Sequence, residues 1–335
     1  MTLDRRSFLK AGVLALAPLA PLASRAVAFG ARPASASASA STPLFSFGVV
    51  ADVQYADKNT AGARHYRDSL AKLKSCLGFW NAASLDFVIQ LGDLVDTGGL
   101  PTLDKTYAAY ARARAKAYSV LGNHDFVAPR DQVIRALRMP SAYYSFRSHG
   151  WRFIVLDGMN VSIDGGWSKN DPHFLEGQKI NTALEQAGSP IAGEWNGAVG
   201  GEQRRWLAGE LAEATAKREK VVVFCHIPTL PGSCRPDLLL WDHDEVVKLL
   251  DSCPTLVSYM CGHDHHGGYG ARNGVHYMTF PGMVEHAAKD SSFIVDVHAD
   301  RLTVRMMSGW ERRLAFPARA LQAAGVARPT GGHRA

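Results

Sequence analysis

The sequence predicts an α/β fold in which helices and strands are stacked in layers, and three patterns support this prediction. Short apolar segments alternate with amphipathic helical segments between residues 45 and 121. Several of these apolar segments end at a polar residue of a metal-binding type. After residue 275 the apolar segments become short and lie close together, which is typical of antiparallel strands. Because alternating strands and helices form parallel crossovers, the chain is expected to combine parallel and antiparallel pairing.

The first strand and the first helix follow directly from this alternation. Residues 45–51, F-S-F-G-V-V-A, form an apolar run that delivers Asp52 at its carboxyl end. In the next segment apolar residues recur at spacings of three and four, with Arg and Lys between them, which predicts an amphipathic helix. These apolar residues are Tyr66, Leu70, Leu73, Leu77 and Trp80.

Two more strands follow, separated by a second helix. Residues 87–91 predict a strand that ends just before Asp93, and residues 118–121 predict one that ends just before Asn123. A helical stretch over roughly residues 104–116 lies between them. Strand, helix, strand, helix and strand in this order predict right-handed parallel crossovers.

The pattern changes in the second half of the chain. Residues 143–147 and 152–156 predict a hairpin. Residues 158–200 show little periodicity and are expected to form loops over the functional face. The remaining predictions are a helix at 202–214 and strands at 221–225, 255–261, 275–280, 292–298 and 302–307.

The first 28 residues have the features of an export signal. Residues 4–10 read D-R-R-S-F-L-K, and a short apolar stretch and the sequence Ala26-Val27-Ala28 follow. Adjacent Arg5 and Arg6 resemble a twin-arginine signal. Residues 1–28 are therefore expected to be a signal peptide for the twin-arginine export machinery, which places the protein in the periplasm or outside the cell without a membrane span. An uncleaved anchor is the alternative, although the apolar stretch is shorter than the ~20 residues of a span.

The remaining boundaries come from composition. Residues 29–43 are rich in Ala and Ser and predict a linker. The folded domain is expected over residues 44–316, and residues 317–335 lose the apolar pattern and are expected to form a loose C-terminal tail. Of the 335 residues 47% are hydrophobic, which is sufficient for one large core or two modest ones.

Charge and cysteine content exclude some classes of protein. The net charge is +6 and no long Lys/Arg run is present, so nucleic-acid binding is not expected. Five cysteines do not form a disulfide framework in a chain of this length. Cys225 and Cys261 lie in apolar runs and predict core residues, and Cys76 lies on a helix. Cys234 and Cys253 lie in loops, where a disulfide is left open.

The polar residues at the strand ends form a candidate metal centre. They are expected to emerge together, because open α/β sheets place their ligands at the carboxyl ends of strands. Carboxylate, amide oxygen and imidazole suit divalent ions such as Mn²⁺, Fe²⁺ or Zn²⁺, and a carboxylate can bridge two ions about 3.5–4 Å apart. One such residue alone would be explained as a helix cap or a core histidine, but the ordered set predicts a metal site. In chain order the set is Asp52, Gln54, Asp93, Asn123, His226, His263 and His265.

The motifs D-x-Q, G-D-x-x-D, G-N-H and G-H-x-H in this order resemble the calcineurin-like metallophosphoesterase superfamily. The resemblance implies a layered sandwich of two mixed β-sheets flanked by helices, with two divalent ions between the strand ends. One ion would be held by Asp52, Gln54, Asp93 and His265. The second would be held by Asp93, Asn123, His226 and His263, so that Asp93 bridges.

The same resemblance implies roles for two further residues. His124 matches a histidine that does not bind metal but donates a proton or hydrogen bond to the leaving oxygen. Asp96 completes the G-D-x-x-D element, and orienting a ligand is the expected role for it rather than direct coordination. A hydroxide held between the ions would attack phosphorus in line with the leaving group.

One departure points to a narrower branch of the superfamily. Gln54 stands where most members have histidine, and its neutral amide oxygen favours Mn²⁺ or Mg²⁺ over Zn²⁺. The chain is similar here to the manganese-dependent ADP-ribose/CDP-alcohol diphosphatases. Further similar stretches are A-D-V-Q-Y-A-D (51–57), R-H-Y-R-D-S-L (64–70), Q-L-G-D-L-V-D (90–96), W-N-G-A-V-G-G-E-Q-R-R-W-L (195–207), G-H-D-H-H-G-G-Y (262–269) and G-M-V-E (282–285).

This branch implies a metal-dependent hydrolase that splits nucleoside diphosphate-linked substrates such as ADP-ribose and CDP-alcohols. Two Mn²⁺ ions are expected, with Fe²⁺, Mg²⁺ or Zn²⁺ as alternatives. Trp195, Asn196 and Trp241 are candidates to line a substrate pocket, with packing in a loop as the alternative. Two other functions remain open: a broad exported phosphomonoesterase or phosphodiesterase that scavenges phosphate, and a non-catalytic metal- or phosphate-binding protein.

Overall fold

The computed structural model describes residues 42–285 and 291–323, which form two six-stranded sheets with helices on their outer faces. The strands are Phe45–Val50 (β1), Phe87–Gln90 (β2), Lys116–Ser119 (β3), Tyr144–Ser148 (β4), Trp151–Val155 (β5), Lys220–Phe224 (β6), Leu256–Cys261 (β7), Gly268–Arg272 (β8), Val275–Thr279 (β9), Phe293–Val297 (β10), Arg301–Met306 (β11) and Glu311–Ala315 (β12). The helices are Ser69–Asn81 (α1), Gly99–Tyr110 (α2), Arg130–Ala136 (α3), Pro172–Gln186 (α4), Gly200–Lys217 (α5), His243–Asp251 (α6) and Ala318–Ala323 (α7).

Both sheets are mixed. In the first sheet the order is β12-β11-β10-β1-β2-β3, with β1, β2 and β3 parallel and the other pairs antiparallel. In the second the order is β4-β5-β6-β7-β9-β8, with a parallel centre from β5 to β9 and an antiparallel pair at each edge. The predicted α/β sandwich of two mixed sheets is confirmed, as are the hairpin β4–β5 and the antiparallel strands at the end of the chain.

The main core lies between the two sheets and is rich in aromatic rings. Phe47 of β1 makes edge contacts with Phe153 of β5 and Phe224 of β6, at ring centroid distances of 5.8 and 6.0 Å. These side chains are completely buried. Burial of this apolar surface holds the two sheets together. Close packing of the side chains leaves the sheets little room to slide.

Helices cover the outer faces of the sheets. Trp80 of α1 lies flat against β1, where a Cβ on Gly48 would come within 2.7 Å of its ring. Glycine is therefore required at this position by close approach. The outer face of the second sheet packs against α5 and α6 through a separate apolar cluster that includes Leu207, Leu211 and Val246.

Several elements differ from the sequence prediction. Helix α2 begins at Gly99 and ends at Tyr110, earlier than the predicted 104–116. The region 158–200, predicted to be loops, contains the 15-residue helix α4. Its buried residues are Gly177 and Asn181, and Ile180 and Leu184 on the same face are only partly buried, so its apolar stripe is interrupted by a glycine and a polar residue. Its start was nevertheless marked in the sequence, because Asp171 caps the helix and Pro172 occupies its first turn.

The C-terminal boundary is also later than predicted. Helix α7 follows Pro317, and its Ala320 and Leu321 are buried in the main core. The packed domain therefore extends at least to Ala323, since these two side chains leave water when α7 docks. The predicted signal peptide and most of the predicted linker lie outside the described residues. Within the described ranges, no helix is long and apolar enough to cross a membrane.

Candidate metal centre

The seven predicted metal ligands come together at the carboxyl ends of the parallel strands. Those in the first half of the chain follow β1, β2 and β3, and the histidines follow β6 and β7 of the other sheet. Backbone hydrogen bonds continue beyond the strands. The backbone N–H of Gln54 donates to the backbone carbonyl of Asp93 at 2.8 Å, and the backbone N–H of Gly262 donates to the backbone carbonyl of His226 at 2.9 Å. The edge where both sheets end is therefore a fixed frame that presents side chains from both.

Left-handed backbone conformations are concentrated in this frame. Asp52, Gln54, Asp93 and His263 have φ angles of 49°, 41°, 56° and 68°. A non-glycine residue in this region is strained, and such strain persists where the surrounding structure over-determines it. The turns direct these side chains into the space between the sheets instead of along the strands.

Glycine is required beside the ligands because the backbones approach closely. A Cβ on Gly122 would lie 2.1 Å from Asp93 Oδ1, and one on Gly92 would lie 2.5 Å from His226 Nδ1. Gly92 also has a φ of 96°. Any side chain at these positions would push the central carboxylate or the histidine out of place.

Asp52, Gln54 and His265 form one half of the centre. Asp52 Oδ1 lies 3.2 Å from His265 Nε2. The Gln54 amide nitrogen lies 3.0 Å from Asp93 Oδ2 and 3.3 Å from His265 Nε2. Rotation of this terminal amide by 180° would exchange its oxygen and nitrogen, so Gln54 can offer an oxygen at the same place.

Asn123, His226 and His263 form the other half. His226 Nε2 lies 3.2 Å from Asn123 Oδ1 and 3.2 Å from His263 Nδ1. It also lies 3.4 Å from Asp93 Oδ2. Since the same Asp93 oxygen contacts Gln54 of the first half, the Asp93 carboxylate occupies the shared position that a bridging ligand needs.

Unsatisfied buried atoms indicate that this arrangement fits metal ions. Asp52 Oδ1 and Gln54 Oε1 are buried without a hydrogen-bond partner, which is unfavourable for polar atoms in a folded protein. The carbonyl of Leu91 lies 2.8 Å from His226 Nδ1, so this nitrogen carries a proton and Nε2 is the nitrogen left for a metal ion. Glu285 fixes His265 in the same way through Nδ1 at 2.9 Å. Lone pairs and carboxylates thus converge, as cation ligands do. Coordination by the seven residues stays a prediction.

The charges of the centre perturb its histidines strongly when no cation balances them. Burial lowers the pKa of His226, but Asp93 and Asp52 outweigh it and raise the pKa to about 9. Burial also lowers the pKa of His265, but Asp52 and Glu285 outweigh this effect and raise the pKa to about 10. Burial raises the pKa of Asp93, but His226 and His124 hold it well below its usual range. Protons on the histidines therefore compensate the carboxylates in the metal-free state.

His124 lies at the entrance of the centre instead of among the ligands. Its backbone amide donates to Asp93 Oδ1 at 2.9 Å, and its ring Nδ1 lies 3.6 Å from Asp96 Oδ1. Asp96 is itself buried and paired with Lys58. His124 also lines an open cleft of about 370 Å³, together with Phe126. The ring is therefore reachable from solvent. The Asp96 side chain contacts this ring and Lys58, so in the described residues it orients His124 instead of the metal ligand that the sequence analysis expected it to orient.

One residue of the centre was not predicted from the sequence. Asp125 is completely buried, and its carboxylate accepts hydrogen bonds from the backbone N–H groups of Gly122, Asp93 and Leu94 at 3.0, 2.9 and 2.8 Å. It therefore ties the β2 and β3 ends together. Burial and the nearby Asp93 raise its pKa to about 7. Its place directly after Asn123 and His124 was the available signal.

The three candidate pocket residues have different environments. Trp195 is 45% exposed, as a residue that meets a ligand must be. Asn196 is completely buried and contacts His263 at 3.0 Å instead of facing a cleft. Trp241 is buried in a loop cluster and donates to the Ile191 carbonyl at 3.1 Å. Packing, the alternative expectation, fits the position of Trp241, and Asn196 contacts a predicted metal ligand. Substrate binding by the three residues stays a prediction.

Comparisons with known proteins agree with this geometry. Residues 45–267 match the family model described as calcineurin-like phosphoesterase. A protein of Arabidopsis thaliana named manganese-dependent ADP-ribose/CDP-alcohol diphosphatase is 33% identical over 295 residues, covering 78% of this chain and 94% of that protein. A human protein of the same name is 29% identical over 307 residues, covering 78% and 90%. A solved dimetal phosphatase of Danio rerio has the same fold, with a TM-score of 0.74, 23% identity and coverage of 82% of this chain and 99% of that one.

Proposed function

This chain belongs to the calcineurin-like phosphoesterase family and is a dinuclear metal-dependent phosphohydrolase, and we propose that it splits the diphosphate of ADP-ribose and CDP-alcohols. The observation that carries this proposal is the Asp93 carboxylate between two sets of inward-facing ligands, with Gln54 in the first set. The names of the relatives in plants and animals support the substrate class.

The residues divide between two metal positions. Asp52, Gln54, Asp93 and His265 would hold one ion. The other would be held by Asp93, Asn123, His226 and His263. When bound, the two ions neutralise phosphate charge and lower the pKa of an attacking water. Manganese suits this donor set because the neutral amide oxygens and carboxylates include no thiolate that would select zinc.

His124 supplies the protein's own contribution to the departure of the leaving group. Its backbone is held on Asp93 and its ring is oriented by Asp96. A ring in this position can donate a proton or a hydrogen bond to the oxygen that leaves phosphorus. A phosphate leaving group, as in ADP-ribose, needs this proton less than an alkoxide does.

An activity panel tests the substrate class. The full chain, loaded with Mn²⁺, should convert ADP-ribose to AMP and ribose 5-phosphate, and CDP-choline to CMP and phosphocholine. Cyclic nucleotides and p-nitrophenyl phosphate serve as comparison substrates, and separate loading with Mg²⁺, Fe²⁺ and Zn²⁺ reports the metal preference. Faster turnover of p-nitrophenyl phosphate or a cyclic nucleotide would favour the second candidate, a broad phosphomonoesterase or phosphodiesterase that scavenges phosphate. Binding without turnover of any substrate would favour a non-catalytic protein.

We further propose that the enzyme acts outside the cytoplasm. The support is the amino-terminal sequence, with Arg5 and Arg6 before a short apolar stretch and a small-residue cleavage candidate at residues 26–28. Export of a folded chain by the twin-arginine route would allow the metal ions to bind before the enzyme leaves the cytoplasm. Such an enzyme would meet nucleotides and phosphodiesters outside the cell, which is why the scavenging function is kept as the second candidate.

Cell fractionation tests the localisation. The unaltered chain should appear in the periplasm or medium with an N-terminus near Phe29, and a chain with Arg5→Lys and Arg6→Lys should remain in the cytoplasm. A chain with Lys10→Arg is the matched control and should still be exported. Equal export of the double variant would contradict the twin-arginine route.

A further inference from the structure

A loop outside the two sheets reaches the metal centre through Asn196. This side chain is completely buried, and its Oδ1 lies 3.0 Å from Nε2 of His263. The loop itself is braced from two sides. The Gly193 amide donates to Asn181 Oδ1 of α4 at 2.8 Å, and the Trp241 indole donates to the Ile191 carbonyl at 3.1 Å. The position of the Asn196 amide is therefore fixed by contacts that do not involve the histidine.

The orientation of the Asn196 amide follows from its other partners. Its Nδ2 lies 3.0 Å from the Ile191 carbonyl oxygen and 2.8 Å from the Asp237 carbonyl oxygen. Only an N–H group can face two carbonyl oxygens, so the reverse orientation would place three oxygens together. Asn196 Oδ1 must therefore face His263 and accept a hydrogen bond from it.

This hydrogen bond determines which nitrogen of His263 is available to a metal ion. If Nε2 carries the proton, Nδ1 keeps the lone pair. That Nδ1 lies 3.2 Å from His226 Nε2, the nitrogen that His226 turns to the centre because its Nδ1 donates to the Leu91 carbonyl. Two nitrogens at this separation need a proton or a cation beside them, because two lone pairs alone would repel each other. Asn196 thus turns the lone pair of His263 toward the position that a metal ion would occupy.

We propose that Asn196 is a positioning residue that sets the affinity of the second metal position by fixing the tautomer and ring orientation of His263. The inference rests on the two-metal function proposed above and assigns Asn196 to the metal centre instead of the substrate. It concerns the ion next to Asn123, His226 and His263, and leaves the ion next to Asp52 and His265 unaffected.

Metal titration of the metal-free full chain tests this role. Asn196→Ala removes the acceptor, and the affinity for the second Mn²⁺ should fall about 10–100-fold while the first is unchanged. Asn196→Asp keeps an acceptor oxygen for His263 but turns its other oxygen toward the Ile191 and Asp237 carbonyls, so its second affinity should lie between those of Asn196→Ala and the unaltered chain. Electron paramagnetic resonance at two equivalents of Mn²⁺ should show a spin-coupled pair in the unaltered chain and mononuclear Mn²⁺ in Asn196→Ala.

Asn160→Ala is the matched control. Asn160 is also buried, and its Nδ2 donates to the Val199 carbonyl at 3.1 Å, so its loss removes a comparable hydrogen bond from the same part of the chain. It should leave both Mn²⁺ affinities unchanged. Equal weakening in both variants would mean that loop packing, and not the contact with His263, sets the affinity. Retention of the second affinity in Asn196→Ala would overturn the proposal.

A measurement on the unaltered chain covers the case in which Asn196→Ala does not fold. Nitrogen-15 NMR of the histidine-labelled, metal-free chain should show His263 neutral with its proton on Nε2. A proton on Nδ1 would overturn the proposal directly. Since these experiments read metal binding and tautomer, they keep their meaning if ADP-ribose and CDP-alcohols prove not to be substrates.

Discussion

The two halves of the metal centre differ in what holds their histidines. His265 presents Nδ1 to the carboxylate of Glu285, at 2.9 Å, whereas His263 presents Nε2 to the neutral amide of Asn196, at 3.0 Å. The two histidines are two residues apart in one motif. Their electrostatic environments are nevertheless opposite: the pKa of His265 is raised to about 10, and burial together with His226 lowers the pKa of His263 well below its usual range.

This difference leads us to expect that the ligand motif does not by itself define the metal affinity. Gln54 brings a neutral amide to the half that contains His265, where most members of the superfamily have an imidazole. A carboxylate behind His265 makes its ring a better donor. In the other half, the partner behind His263 among the described residues is the neutral amide of Asn196, and the partner behind His226 is the Leu91 carbonyl.

The largest effect is expected where the two halves meet. Asp93→Asn removes the charge that both positions share, so the variant should bind at most one Mn²⁺ per chain and lose measurable turnover. Elemental analysis after metal loading and an ADP-ribose assay would check this. Asp131→Asn, which changes an exposed carboxylate on α3, is the control. Two bound ions with turnover retained in Asp93→Asn would mean that the two metal positions do not depend on a shared Asp93 carboxylate.

His124→Ala should affect turnover without affecting either half. Loss of a positioned acid lowers the rate by about 10²–10⁴-fold, and the loss should be larger for alkyl phosphodiesters than for substrates with a good leaving group. The metal content should stay at two ions. His149→Ala, at an exposed histidine stacked on Phe45, should change neither quantity. Unchanged turnover in His124→Ala would mean that another group protonates the leaving oxygen.

Glu285→Gln should make the first half resemble the second. The substitution keeps an acceptor for His265 but removes its charge, so the affinity for the ion next to Asp52 should fall about 10-fold or more while the other ion is unaffected. Mn²⁺ titration with the same spectroscopic readout as for Asn196 separates the two positions. Glu176→Gln on the exposed side of α4 is the control. If both ions weakened equally, the halves would not be independent.

The smallest effect concerns pH and the metal-free chain. The pKa values of His226 and His265 rise from 6.5 to about 9 and about 10 in the folded state. The free energy of unfolding that the two protonated histidines contribute is therefore fully present below pH 6.5 and is lost as the pH rises through 9 to 10. Mn²⁺ must displace the same protons, so its affinity should rise with pH over this window. Melting temperatures with and without Mn²⁺ should diverge as the pH increases, and parallel curves would contradict this.

The architecture was predictable because its main signals are local. Apolar runs such as residues 45–51 and 87–91 end at Asp52 and Asp93, and the register of parallel strands brings such ends together. Helix α4 was not predicted because its most buried positions are a glycine and an asparagine, which interrupt the apolar spacing set by Ile180 and Leu184.

The convergence of the seven predicted ligands was predictable, but their surroundings were not. The ligand set depends on short motifs, whereas Asn196 reaches His263 across 67 positions of sequence and Glu285 reaches His265 across 20. Such pairings arise only from tertiary packing. Asp125 was missed for a different reason: its partners are backbone amides, so only its place directly after Asn123 and His124 marked it in the sequence.

The left-handed turns at Asp52, Gln54, Asp93 and His263 have a consequence for the design of variants. Glycine would relax the backbone at each of them, so replacing Gln54 by glycine should yield a chain that resists heat better before metal is added and binds its first ion worse. These four positions favour glycine, but the metal centre requires their side chains. Selection for thermostability alone would therefore erode the catalytic centre.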